Sequence, residues 1–269
     1  MTDHDPELID CHSHILASVD DGPAAIDEAI EMLRIAVDDG IRLIVATPHA
    51  DAQSDYGAFK RAHTRVVEAA SELRIEIMLG AEILVSPSIP TLLVQGSLPT
   101  LNGSRFPLIE FDFSIAPPSV ETILFDFQMA GLRPVIAHVE RYAYVQRSPA
   151  IVREWPRRGA ILQVNAGSLR GEFGVAAMDV AWELATSAWP VIVASDAHNR
   201  RQRSPRLRAT YELVARRCGH DRAGALFESL PGAIVRNESI VGIGDPTVEP
   251  VDRGRRTNPR RWWHRVLGR

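Results

Sequence analysis

Apolar and β-branched residues gather into short, nearly continuous runs along this chain. They are LID (8–10), LIVAT (43–47), IEIMLG (75–80), FPLIEF (106–111), PVIAHV (134–139), AILQVN (160–165) and PVIVAS (190–195). Between them lie amphipathic, helix-like stretches near 24–39, 57–73, 119–131, 149–158, 174–187 and 206–217. A run without polar alternation reads as a strand buried on both faces, and an amphipathic stretch as a helix laid over it. Their regular alternation predicts a parallel sheet covered by helices, the α/β class. Seven such units with no linker between them predict a closed or nearly closed barrel. The pattern fades after IVGIGDP, where Pro, Gly and Arg rise. We therefore expect one folded domain over 1–244 and a basic tail over 245–269.

The polar residues that follow the strands add chemistry to this picture. LID runs into His12 and His14, with Asp20 and Asp21 a loop away, and LIVATP runs into His49. IEIMLGA leads to Glu82, FPLI to Glu110, PVIA to His138, AILQV to Asn165, and PVIVAS to Asp196 and His198. Side chains two apart on an extended segment point the same way, so His12 and His14 converge. In α/β barrels the C-terminal strand ends line the mouth where catalysis occurs. Taken singly, each residue has an ordinary explanation. His138 could be a hydrogen-bonded core histidine, Glu110 a strand end, and SDAH a helix cap. Those explanations do not say why every strand ends alike.

A ring of imidazoles and carboxylates offers more ligands than one zinc site needs, so two or three ions are expected. The mixed nitrogen and oxygen set, without a thiolate cluster, favours Mn, Fe or Zn. Arg141 lies three residues after His138, and Arg203 follows Asp196 and His198. Guanidinium groups beside a polynuclear site suit a phosphate dianion, whose oxygens accept paired hydrogen bonds. Arg200 and Arg201 read as a solvated loop.

Composition narrows the function classes. At 269 residues, with 45% hydrophobic and 24% charged residues, the chain can bury a full core. No run approaches the ~18 apolar residues of a membrane span, and MTDHDPELID lacks a signal-peptide pattern, so a cytoplasmic location is expected. Cys11 and Cys218 are too few for a disulfide framework. The net charge of −4 does not point to nucleic acid. The exception is the basic end PRRWWHRVLGR, where Trp262 and Trp263 among arginines suit contact with an anionic membrane surface.

Together DCHSH, DDGP, TPH, GAEI, LIEF, VIAHVERY, QVNAGS and VIVASDAHN, in this order from about residue 8 to 240, resemble the PHP-domain tyrosine-protein phosphatases of bacterial polysaccharide operons, the CpsB/CapC/YwqE type. The resemblance implies a distorted (β/α)7 TIM-like barrel, the PHP fold, with its active site at the C-terminal strand ends. It implies three divalent ions, with manganese the first choice. Matched position by position, His12, His14, Glu82 and Asp196 would hold the first ion. Glu82 would bridge to a second, also bound by Glu110 and His138, and Asp21, His49 and His198 would hold the third. Asp20 is left as a supporting acid. Arg141 and Arg203 match the phosphate-binding arginines.

The implied reaction is hydrolysis of phosphotyrosine in a protein, a tyrosine autokinase of polysaccharide export being the expected partner. A PHP phosphatase of a small phosphomonoester, such as histidinol phosphate or a nucleotide, is the second reading. A metal-bound scaffold without turnover is the third. Ala50, where many relatives carry a second histidine, and the loop 51–56, DAQSDY, depart from the family pattern, which leaves the exact substrate open. Thiol phosphatases place Arg six residues after Cys; here those positions hold Ala17 and Gly224.

Overall fold

The structure, a computed structural model, describes residues 6–240. The expected tail over 245–269 and the domain boundary at 244 lie outside the described residues. Nine strands form among the described residues: β1 (Leu8–Ser13), β2 (Ile41–Ala46), β3 (His49–Ala50), β4 (Glu76–Leu79), β5 (Glu82–Leu84), β6 (Leu108–Glu110), β7 (Val135–Ile136), β8 (Ile161–Asn165) and β9 (Val191–Ala194). They pair in parallel as β1-β2-β4 and β3-β5-β6-β7-β8-β9. The fold is therefore mixed α/β with parallel sheets, as the alternating pattern predicts.

The two sheets are joined by kinked strands. β2 breaks at Thr47 and Pro48 and resumes as β3, while β4 breaks at Gly80 and Ala81 and resumes as β5. Pro48 has no N–H to give a ladder, which explains the first break. Across the kinks, Gly80 N donates to Ala46 O (2.8 Å) and Glu82 N to Pro48 O (3.0 Å). On the other side, β1 meets the segment after β9. Asp196 N donates to His12 O (2.8 Å) and His14 N to Ala197 O (2.7 Å), with a parallel bridge between Ser13 and Ala197. Asp10 accepts from the Ser195 amide (3.0 Å) and hydroxyl, fixing the same junction.

Five of the expected helices form, at Ile26–Asp38, Tyr56–Ala69, Val120–Met129, Val175–Thr186 and Arg208–Cys218. The sixth, expected over 149–158, is a 3₁₀ segment (Pro149–Arg153) followed by a short α-helix (Glu154–Arg157). Pro156 lacks the N–H group that a continuous α-helix would use there, whereas Pro149 stands at the first position, where none is needed. Helical structure continues beyond 217, through His220–Gly224, a π-turn at Ala225–Ser229 and a helix over Leu230–Val235.

Two apolar clusters follow from the period of two along the strands. One packs the outer strand faces, such as Ile44 and Ala46, against helix residues such as Met32, Leu33 and Phe59. The other gathers Ile9, Cys11, Leu43, Val45, Val135 and Ile161 on the opposite face and is covered by Leu230, Ile234 and Val235. These positions precede the strand tips, so a closed apolar floor lies beneath the residues that carry the chemistry.

Candidate metal centre

β1 delivers His12, and His14 follows one residue past its end. Their Nε2 atoms lie 3.3 Å apart, and Glu82 Oε2 is 3.3 Å from each. Asp196 Oδ1 stands 3.5 and 3.6 Å from the same two nitrogens. All four residues are buried. Ligands about 2.0–2.2 Å from one tetrahedral ion stand about 3.3–3.6 Å from each other. The spacing and the nitrogen and oxygen chemistry of this group thus fit a divalent cation.

A second group adjoins the first. Glu82 Oε1 lies 2.6 Å from His138 Nε2, which is 3.6 Å from Glu110 Oε2. His49 Nδ1 approaches Glu82 Oε2 (3.1 Å) and Glu110 Oε1 (3.7 Å) from the other side. The parallel pairing of His49 with Glu82 places these two together. A third group forms where Asp21 Oδ1 meets His49 Nε2 (3.4 Å) and His198 Nε2 (3.2 Å). The His14 and His198 rings lie close here, tilted by 32°, with centroids 3.8 Å apart. Every candidate ligand named from the sequence is thus brought into one contiguous cluster. One feature was not expected: His49 faces two groups through its two ring nitrogens. Exposure rises outward, from 0% at His12 and His14 to 43% and 61% for the side chains of His49 and Asp21.

Burial lowers the His138 and His198 imidazoles, the latter to about 4. Burial pushes the His14 imidazolium down, but its hydrogen bonds to Asp20 and Glu82 outweigh this and raise it to about 10. Burial pushes Glu82 up, yet His12 and His138 beside it hold it well below the usual carboxylate range. Burial and then the Glu82 charge lift Glu110 to about 7. A divalent cation would take the place of the protons on the imidazoles.

Three sets of neighbours orient these groups. Gln163 Oε1 accepts from His12 Nδ1 (3.0 Å) and from the His138 amide (2.7 Å). That bond places the His12 proton on Nδ1 and leaves Nε2 to face the cluster. Asp20 Oδ2 does the same for His14 Nδ1 (2.7 Å) and also accepts the His49 amide (3.1 Å). The glycine of DDG is needed for this turn, because a Cβ on Gly22 would stand 2.5 Å from His14 O. Glu140 Oε1 accepts from Asn165 N (3.0 Å) and Ser168 Oγ (2.6 Å) below the site. His138 (φ 30°) and Asp196 (φ 52°) both occupy the left-handed region. Such a backbone costs about 1–3 kcal/mol in a non-glycine residue and persists when surrounding bonds impose it.

The arginines converge on one atom. Asp196 turns Oδ1 toward the imidazoles and Oδ2 toward Arg141 Nη1 (3.1 Å), Arg203 Nη2 (2.6 Å) and Asn165 Nδ2 (2.7 Å). Burial pushes Asp196 up, but His12, His138 and Arg203 outweigh it and hold its carboxyl below the usual range. The Arg141 guanidinium lies between the rings of Phe113 (5.0 Å) and Phe173 (4.4 Å). Phe173 can approach because residue 167 is glycine, where a Cβ would stand 2.9 Å from its ring.

Sequence reasoning missed Gln163, Glu140, Phe113 and Phe173. Gln163 was visible as the lone polar residue inside AILQVN, and Glu140 within HVERY; the two phenylalanines carried no signal. Gln163→Leu, which keeps the volume and removes the acceptor, is expected to weaken metal affinity about 10- to 100-fold. Metal titration of the folded variant measures this, and unchanged affinity would show that His12 is oriented without it.

The family model for capsular polysaccharide synthesis, CpsB/CapC, matches residues 8–236. The tyrosine-protein phosphatase YwqE of Bacillus subtilis is 33% identical over 242 residues, covering 87% of this chain and 93% of its own. The tyrosine-protein phosphatase CpsB of Streptococcus pneumoniae is 31% identical over 247 residues, covering 87% and 100%. A crystal structure from work on YwqE and CpsB as metal-dependent tyrosine phosphatases superposes with a TM-score of 0.81 at 31% identity, covering 87% of this chain and 96% of that one. The organophosphorus hydrolase of Deinococcus radiodurans, at 14% identity and a TM-score of 0.54 over 85% of this chain and 92% of its own, shares the fold alone. With a family match that runs from the first strand to the last described helix, this chain belongs to the CpsB/CapC family.

Proposed function

We propose that this protein is a metal-dependent phosphatase that removes phosphate from phosphotyrosine in proteins, acting in the control of capsular or exopolysaccharide synthesis. The observation that carries this reading is the divided Asp196 carboxylate. One oxygen faces donors at ion-ligand spacing, and the other holds Arg141 and Arg203 beside them. The names of relatives about 30% identical over most of the chain support the same substrate class.

In this reading His12, His14, Glu82 and Asp196 hold one ion, Glu82, Glu110 and His138 a second, and Asp21, His49 and His198 a third, with manganese the first choice and Fe or Zn the others. Bound ions would supply Lewis acidity and a water of lowered pKa. The chain's own part is to place charge. Arg141 and Arg203, with side chains 23% and 29% exposed, are partly withdrawn from water and anchored on Asp196. Their remaining N–H groups are free to donate to the phosphate oxygens and offset the charge that develops there. The aromatic rings around Arg141 keep its plane fixed, so little entropy is lost when phosphate arrives.

A cysteine nucleophile has no support. Burial, and then Asp10, push the Cys11 thiol up, and its sulfur lies 3.8 Å from Pro231 O in the apolar floor. Burial also raises the half-buried Cys218. The proposal extends to the frame: a distorted seven-unit barrel, in which β2 with β3 and β4 with β5 each count as one strand and the β1–β9 junction closes the ring. It places the protein in the cytoplasm, with a tyrosine autokinase as partner. No helix among the described residues is long and apolar enough to cross a membrane.

The test is metal analysis and turnover on one preparation. A phosphotyrosine peptide is expected to exceed histidinol phosphate and a nucleoside monophosphate in kcat/KM by about tenfold or more. The reverse order would identify a small-molecule phosphatase, and full metal occupancy without turnover a scaffold.

A further inference from the structure

Beside the metal centre lies a cleft of about 400 Å³ that none of the chemistry above uses. His49 lines it, and His49 Nδ1 is 3.1 Å from Glu82 Oε2, so the cleft opens directly from the cluster. One wall is the loop Ala17–Val19, pinned by Ser18 Oγ donating to Ala24 O (2.7 Å). The other is the helix Tyr56–Ala69, which contributes the buried Phe59 and Ala62 and the exposed Arg61 and Arg65. Positions 61 and 65 are one turn apart, so both guanidinium groups share a face.

The two arginines differ. Arg61 Nη2 is engaged by Asp55 Oδ2 at 3.1 Å, on the rim of the same cleft. Arg65 makes no hydrogen bond or ion pair among the described residues. This is local positive charge on a chain whose overall balance is acidic, at −4.

We propose that this cleft recognises an acidic side chain near the phosphotyrosine of the substrate, with Arg65 as its counter-ion and Arg61 held in place by Asp55. The proposal rests on the phosphatase reading of the adjoining cluster and adds the substrate feature that the cluster itself cannot distinguish. The apolar side chains of Phe59 and Ala62 would cover the stem of a Glu or Asp while the carboxylate reaches the guanidinium. Because Arg65 is exposed, the attraction falls as salt screens it.

The experiment uses the full chain and two fluorescent peptides that carry the non-hydrolysable phosphonomethyl analogue of phosphotyrosine. One has Glu at the positions flanking the analogue and the other has Gln. Anisotropy at low ionic strength gives Kd for each, and the phosphotyrosine versions give KM. The acidic peptide is expected to bind about fivefold more tightly than the neutral one, a ratio typical of an exposed ion pair at its upper end. The ratio should fall to near one in Arg65→Ala and invert in Arg65→Glu, with the difference carried in KM rather than kcat. An equal ratio in all three proteins overturns the cleft. Binding of the analogue peptides without turnover of either phosphotyrosine version by the metal-loaded protein would overturn the phosphatase reading instead, while the Kd ratio still judges the cleft.

Discussion

Glu82→Ala is expected to lower turnover of a phosphotyrosine peptide by about a thousandfold or more and to remove most of the bound metal. Among the described residues, no other carboxylate contacts four imidazoles. Oε2 faces His12, His14 and His49, and Oε1 faces His138. It is the one residue shared by the inner and second groups, so its loss cannot be confined to one ion. Glu82→Gln separates charge from shape, since it fills the same space and can still accept through one oxygen. It should retain part of the metal and little of the turnover. Elemental analysis beside a kinetic assay decides the matter, with a thermal melt to establish that each variant is folded. Near-normal metal content in both variants would mean that Glu82 is a structural partner of the histidines.

The second large effect is at the arginines. Arg141→Ala and Arg203→Ala should each raise the barrier by about 2–4 kcal/mol, the range seen when a donor to developing charge is removed. Both arginines also touch Asp196, which raises the question of metal loss. The geometry argues against it. Oδ2 keeps two of its three donors in either variant, including Asn165 Nδ2 at 2.7 Å, and Oδ1 keeps its place opposite His12 and His14. Metal content is therefore expected to stay close to that of the unaltered protein while kcat/KM falls. The double variant should lose metal as well, because a single donor then orients the carboxylate. Full turnover in both single variants would assign phosphate binding elsewhere.

Much of this was legible in the sequence, for a physical reason. A parallel sheet buries its strands on both faces, so the strands read as apolar runs, and the polar residue that ends each run is conspicuous. His12, His14, Glu82, Glu110, His138 and Asp196 could be picked out in that way. The kinks were not visible. LIVATPHA reads as one strand running into a loop, yet the chain pairs again at His49 and Ala50, and this second pairing gives His49 two groups to face. The helical segment over 220–235 was hidden because Pro231 and Gly232 look like breakers, whereas the helical run continues through them, with a π-turn at Ala225–Ser229 just before Pro231. The shared anchorage of Arg141 and Arg203 on Asp196 depends on distances between residues 55 and 7 positions apart, which spacing alone does not encode.

The outward rise in exposure has a consequence for how ions come and go. Among the described residues, Leu230, Ile234 and Val235 cover the apolar floor from below, and His12 and His14 are fully covered. For the proposed ions, traffic is then one-way in sequence as well as in space. The innermost position fills before the outer ones and empties after them, because His49, Asp21 and His198 stand across its route. A chelator should therefore act in stages, stripping the outer ion quickly and the inner one on a timescale set by local opening of the mouth. Partly loaded protein would then be a defined species with the His12–His14–Glu82–Asp196 position occupied, and reconstitution would depend on the order in which two different metals are added.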